Sequence, residues 1–257
     1  MSTDMRHEYL ELLKLALTGL TEVQPTRMKM SEDQTLQVIP TQNIKARHVG
    51  GDWPANAFTM VGLERLNNVQ ACVEAILADD VPGDLVETGV WRGGTVMFMR
   101  ALLKAYSVSD RVVYVADSFE GLPRGDAEQF PEDSGSDLHQ YDYLSVSQKQ
   151  VKDHFRRLDL LDDQVKFVKG WFRDTMPTLA GHEWAIIRLD GDMYESTMIV
   201  LENLYPGLSA GGYLIVDDYH TVPGCQKAVD EYREAHGIED EIHRIDWGAT
   251  YWRKSGD

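Results

Sequence analysis

Leu10, Leu13, Leu17 and Leu20 fall on one face of a 3.6-residue period, which predicts an amphipathic helix over residues 5–20. The periodicity then stops. From about 21 to 56, Pro25, Pro40, Gly50, Gly51 and Pro54 punctuate a mixed polar stretch, expected to be either a substrate lid or a disordered arm. Beyond it the pattern is regular: helix 60–78, strand 85–88, helix 93–105, strand 112–116, helix 146–158 and strand 165–168. Then follow strand 184–189, helix 194–204, strand 213–216, helix 225–236 and two closing strands near 241–245 and 250–253. A long loop, 118–143, is rich in Gly, Pro, Asp and Glu.

Continuously apolar strands that alternate with helices predict a parallel sheet covered on both faces. Two last strands without a helix between them predict an antiparallel hairpin at one edge. The expected fold is therefore α/β, a doubly wound, mostly parallel seven-stranded sheet of Rossmann-like type, preceded by an N-terminal helical and lid segment. With 257 residues, 43% of them apolar, the chain can build one compact domain. Residues 1–58 would form the helix and lid, and 59–257 the catalytic part.

Forty-two acidic against 25 basic residues give a formal charge of −17, which repels phosphate backbones and anionic lipid heads. Nucleic acids and membranes are not expected partners. Cys72 and Cys225 stand in no metal-ligand or redox spacing, and the N-terminus carries no signal-like apolar run, so a reducing, cytoplasmic setting is expected.

The run Asp84-Leu85-Val86-Glu87-Thr88-Gly89-Val90-Trp91-Arg92-Gly93-Gly94 reads as strand, glycine turn and helix start. Such a turn lets a ligand approach the backbone, and the helix N-terminus adds positive potential. Trp91 breaks the glycine fingerprint of dinucleotide sites. The next strand ends in Asp117-Ser118, an acid placed to accept both hydrogen bonds of a ribose diol. An adenosine ligand without a pyrophosphate, S-adenosylmethionine, fits that pair better than a dinucleotide does.

Two later strands end in acids, Asp190-Gly191-Asp192 and Asp217-Asp218. If the strands are neighbours, their ends lie ~5 Å apart. Carboxylates crowded at that spacing raise one another's pKa unless a cation sits between them, which points to a hard, oxygen-liganded metal such as Mg²⁺. Mg²⁺ on a substrate hydroxyl would ready it for attack on the sulfonium methyl in line. Asp192 is a candidate to take the proton, and His139 on the long loop is a second candidate for base or cofactor contact.

These motifs together resemble the macrocin O-methyltransferase family. The likeness runs through Asp84–Gly94, Val115–Pro123, Leu138–Tyr141, Gly170–Pro177, Leu189–Thr197 and Ile215–Tyr219, within a span from about Thr59 to Trp252. It implies methylation of a deoxysugar hydroxyl on a glycosylated natural product, with S-adenosylmethionine and Mg²⁺. Metal ligands would be Asp190, Asp217 and Asp218, and the base would come from Asp190, Asp192 or His139. Thr59, Met60, Glu87, Thr88, Gly89 and Arg92 would contact the cofactor, as would Gly93, Asp117, Ser118, Gly170, Trp171 and Asp190. A homo-oligomer, dimer or tetramer, is expected. The resemblance is loose over 21–52, where the lid is expected.

Two other readings use the same fold. A catechol acceptor would need an aromatic slot beside the metal, for which Trp53, Tyr141, Trp171 and Tyr219 are available. A non-catalytic binding protein is disfavoured, because an unused carboxylate cluster costs stability.

Overall fold

A computed structural model describes residues 3–31, 35–126 and 128–256. Residues 32–34 of the expected lid, with the chain's first two residues and its last, lie outside the described residues. The chain opens with α1 (Thr3–Leu17), an antiparallel pair β1 (Thr26–Met30) and β2 (Leu36–Pro40), and α2 (Ile44–His48). Next come α3 (Leu63–Ala78), β3 (Asp84–Thr88), α4 (Gly94–Ala105), β4 (Val113–Asp117), α5 (Gln148–Arg157), β5 (Val165–Lys169) and α6 (Phe172–Thr175). The last third holds β6 (Trp184–Leu189), α7 (Tyr194–Leu204), β7 (Leu208–Val216), α8 (Pro223–His236), β8 (His243–Arg244) and β9 (Thr250–Arg253).

The main sheet is seven-stranded, ordered β5-β4-β3-β6-β7-β9-β8. Strands β3 to β7 run parallel, and β9 lies antiparallel between β7 and β8. This is the doubly wound α/β sheet with an antiparallel edge hairpin that the sequence pattern predicts. Along the strands the residues alternate between two cores, with an irregularity at Ala185–Ile186 in β6. Leu85, Val113, Val115 and Ile186 pack with α1, α3, α4 and α5, whereas Val86, Ala116, Ile187 and Val216 pack with α7 and α8. Burial on both faces is why these strands read as unbroken apolar runs. Among the described residues, no helix is long and apolar enough to cross a membrane.

The stretch expected to lack regular structure is the main difference. It holds β1, β2 and α2, tied together by Arg47, whose guanidinium binds both Asp52 oxygens and the carbonyls of Thr18 and Thr26. Both strands are mostly exposed or half-buried, so no apolar alternation announces them. α1 stops at Leu17, three residues short of Leu20, where the Thr18 hydroxyl turns back to the Lys14 carbonyl at 2.8 Å. Glycine at 19 then takes φ +72°.

The order of strands reverses between β3 and β6. Open α/β sheets bind ligands at that switch point, outside the carboxyl ends of the strands.

Candidate active site

At the switch point β3 runs into the glycine turn. Gly89 has φ +85°, and a Cβ there would lie 1.8 Å from the Asp190 carbonyl oxygen, so only glycine lets the ends of β3 and β6 come together. Asp117, at the end of β4, closes the turn from the other side. One of its carboxylate oxygens accepts from Val90 N–H and the other from Phe119 N–H, both at 2.7 Å. Burial nevertheless pushes its carboxyl above the usual carboxylate range, against these backbone bonds.

The strand-end acids meet as expected. Leu189 pairs with Val216, and Asp217 N–H donates to the Leu189 carbonyl, which sets the ends of β6 and β7 side by side. One carboxylate oxygen from each of Asp190, Asp217 and Asp218 lies within 4.8 Å of the others. Burial, with the charges of Asp190 and Asp217, pushes Asp192 up to about 8. Burial and Asp217 likewise push Asp190 up to about 6, and burial with Asp192 lifts Asp218 well above its ordinary value.

Arginines hold the cluster from beneath. Arg188, wholly buried in β6, donates to Glu87 Oε1 and Asp190 Oδ2, both at 2.6 Å, and to Asp217. From α3, Arg65 donates to the other Asp217 oxygen and, at 2.7 Å, to Asp246 Oδ2. Burial works against these cations, but the facing carboxylates outweigh it and raise both guanidiniums. Sequence reasoning missed both residues. Arg188 carried a signal, since an arginine in a strand otherwise apolar on both faces requires buried acid partners. Arg65 did not, because its partners lie more than a hundred positions away.

Beside the cluster opens a cleft with about 810 Å³ of empty space, including its mouth. Of the residues expected to contact the cofactor or take the proton, Met60, Gly89, Asp117, Ser118, Gly170, Trp171, Asp190 and Asp192 line it. Other expected cofactor contacts point elsewhere. Glu87 is engaged by Arg188, and Thr88 donates its hydroxyl to the Arg188 carbonyl. Thr59 is buried against Thr95, and Gly93 caps α4 against Val151. Arg92 reaches away from the cleft, donating to the carbonyls of Ala55 and Ala57 and stacking on Trp91 and Tyr143. His139 is exposed on a short turn, Leu138–Gln140, outside the cleft lining.

Nor do the four aromatics available for a catechol slot converge. Trp53 packs edge-on to Tyr141 and stacks on Tyr143, and Tyr219 is buried with its hydroxyl on Asp230. Only Trp171 of the four lines the cleft.

Strand order, glycine turn, the acid after β4 and carboxylates after β6 and β7 together define the doubly wound class I methyltransferase architecture. The chain belongs to the macrocin-O-methyltransferase (TylF) family, whose match covers residues 6–254. It is 53% identical over 214 residues to mycinamicin III 3''-O-methyltransferase of Micromonospora griseorubida, covering 82% of this chain and 84% of that one. It is 48% identical over 254 residues to the 8-demethyl-8-(2,3-dimethoxy-alpha-L-rhamnosyl)-tetracenomycin-C 4'-O-methyltransferase of Streptomyces olivaceus, covering 98% and 95%. The solved structure of the O-methyltransferase NovP superposes with a TM-score of 0.90 at 45% identity, covering 98% of this chain and all of that one. The protein is an O-methyltransferase.

Proposed function

We propose that this O-methyltransferase takes its methyl group from S-adenosylmethionine, uses Mg²⁺, and methylates a sugar hydroxyl of a glycosylated natural product of the macrolide or related antibiotic type. The observation that carries the reading is the surplus of carboxylates at the edge of the cleft. Glu87, Asp190, Asp192, Asp217, Asp218 and Asp246 outnumber the guanidiniums of Arg65 and Arg188. Asp218 Oδ2 is buried without a hydrogen-bond partner. An all-oxygen donor set with an unmatched oxygen suits a hard cation, which Asp190, Asp217 and Asp218 would hold. When bound, Mg²⁺ would lower the pKa of an acceptor hydroxyl and fix its position. The acceptor class follows the relatives, whose names specify a mycinamicin 3'' oxygen and a rhamnosyl 4' oxygen.

The chain's own residues divide the remaining work. Asp117, fixed at the end of β4 by the backbone N–H groups of Val90 and Phe119, presents its carboxylate to a ribose diol, and Gly89 lets the ligand approach the backbone. Arg188 and Arg65 hold Asp217 oriented. As the acceptor oxygen gains the methyl group, its proton passes to an Asp192 carboxylate oxygen, which burial, with the charges of Asp190 and Asp217, makes more basic than a solvated one. Residues 1–58 supply the N-terminal helix and the substrate lid, the lid being the segment 21–56, which is joined to the long loop through Trp53, Tyr141 and Tyr143.

Methyl-labelled S-adenosylmethionine supplied with glycosylated macrolides, their aglycones and free catechols tests the reading. Label should enter only the glycosides, disappear in excess chelator and return with Mg²⁺. Methylation of catechols alone would overturn the acceptor class, and full turnover in chelator would overturn the metal.

A further inference from the structure

Alongside Asp190 and Asp192 the cleft is lined by apolar side chains, Leu122, Pro123, Leu144, Phe172 and Ile199, with Phe172 after β5 lying against Gly191 near the start of α7. Glu195 stands among them. It is 6% exposed, its Oε1 meets Arg173 Nη2 at 3.0 Å, and its Oε2 is buried with no hydrogen-bond partner. The backbone that carries it is fixed, because the buried Asp133 carboxylate accepts from the N–H groups of Tyr194 and Glu195 at 2.7 and 3.1 Å. A buried carboxylate oxygen left without a donor is costly, and one facing a ligand cleft asks for an N–H or O–H from the ligand.

The fold says which part of the ligand reaches it. Resting on the cofactor reading above, the reactive methyl lies toward Asp190 and the ribose at Asp117. The base, on the far side of the ribose from the sulfur, is then directed from β4 toward β5 and the residues that follow it. Apolar side chains beside an unmatched carboxylate acceptor suit an aromatic base that carries one amino donor. A sugar would require many polar partners. We propose that Glu195 selects the cofactor's nucleobase, its Oε2 accepting a hydrogen bond from the 6-amino group of adenine while Arg173 keeps the carboxylate charged. A 6-oxo base would set an acceptor against that carboxylate and be rejected.

Calorimetry with S-adenosylhomocysteine and its 6-oxo analogue, S-inosylhomocysteine, tests this on the full chain. The wild type should prefer the 6-amino ligand by roughly 10- to 100-fold, as a charged hydrogen bond gained or lost implies. Glu195→Gln should weaken the 6-amino ligand by about tenfold and narrow the preference, since a glutamine amide can turn its N–H₂ toward a 6-oxo group. The wild-type comparison stands even if the variant does not fold. Equal affinities in the wild type, or an unchanged ratio in Glu195→Gln, would overturn the assignment. So would a variant that binds both ligands normally but shows a raised KM for the acceptor. Failure of the wild type to bind S-adenosylhomocysteine would overturn the cofactor reading itself, whereas binding without base discrimination removes only the role of Glu195.

Discussion

Two buried arginine–carboxylate assemblies hold this protein together, and they are built on opposite principles. In the N-terminal segment Arg47 meets both oxygens of Asp52 at 2.6 and 2.9 Å, both side chains being 1% exposed. Two more of its donors go to the carbonyls of Thr18 and Thr26, and the one carboxylate balances the one cation. At the edge of β6 and β7, Arg188 and Arg65 serve Glu87, Asp190, Asp217 and Asp246 together, while Asp192 and Asp218 have no guanidinium of their own. A structural pair balances its charge inside the protein. A site keeps an imbalance that only a ligand completes, and burial raises the two acids left without a guanidinium, Asp192 and Asp218.

The comparison breaks most sharply at Asp192. Asp192→Asn should lower the turnover rate by ~10²- to 10⁴-fold, the share that general-base catalysis contributes. The metal-free variant should melt no lower than the wild type, because like-charge repulsion is relieved. Unaltered initial rates would move the proton acceptor to Asp190.

Arg47→Met should do the reverse. Leaving the Asp52 charge buried alone should cost about 3–5 kcal/mol of stability, and adding Asp52→Leu should recover most of it. Denaturant midpoints decide this, and a single variant within ~1 kcal/mol of wild type would show that the pair closes nothing.

Asp117 lies between these extremes, bonded to its own backbone yet facing the cleft. Asp117→Asn should weaken S-adenosylhomocysteine by about 1.5–3 kcal/mol, the worth of a hydrogen bond to a charged group. An unchanged dissociation constant would make Asp117 a turn-former only.

The smallest effect should come from Tyr143→Phe, which removes one hydrogen bond, 2.6 Å long, to the Pro54 carbonyl. About 0.5–1.5 kcal/mol of stability should be lost, with more rapid proteolysis near residues 53–57 if that contact ties the N-terminal segment to the long loop.

How much of this could be read along the chain depended on the distance over which each feature is decided. Helices α3, α4, α7 and α8 and the parallel strands were legible, because their apolar spacing is a local record of which faces are buried. Asp190, Asp217 and Asp218 were legible too, since acids at the ends of consecutive parallel strands must emerge at one edge. β1 and β2 were not: their side chains are half-buried or exposed, and pairing such as Met28 with Val38 leaves no periodic mark. Arg92 sits within the glycine-turn motif yet turns toward Ala55 and Ala57, a direction that no spacing within the motif encodes.

By itself the sequence determined the α/β class, the order of the elements, the glycine turn and the acids that crown the strands, because each follows from periodicity or backbone chemistry within a few residues. Only the tertiary structure decided which charges are matched. Arg188 reaches Glu87 across 101 positions and Arg65 reaches Asp246 across 181. The buried Glu195 oxygen is likewise defined by what packs around it, Arg173 on one side and the Asp133-capped start of α7 on the other. Charge balance in a buried site is a sum over neighbours in space, and neighbours in space are what folding, not sequence spacing, supplies.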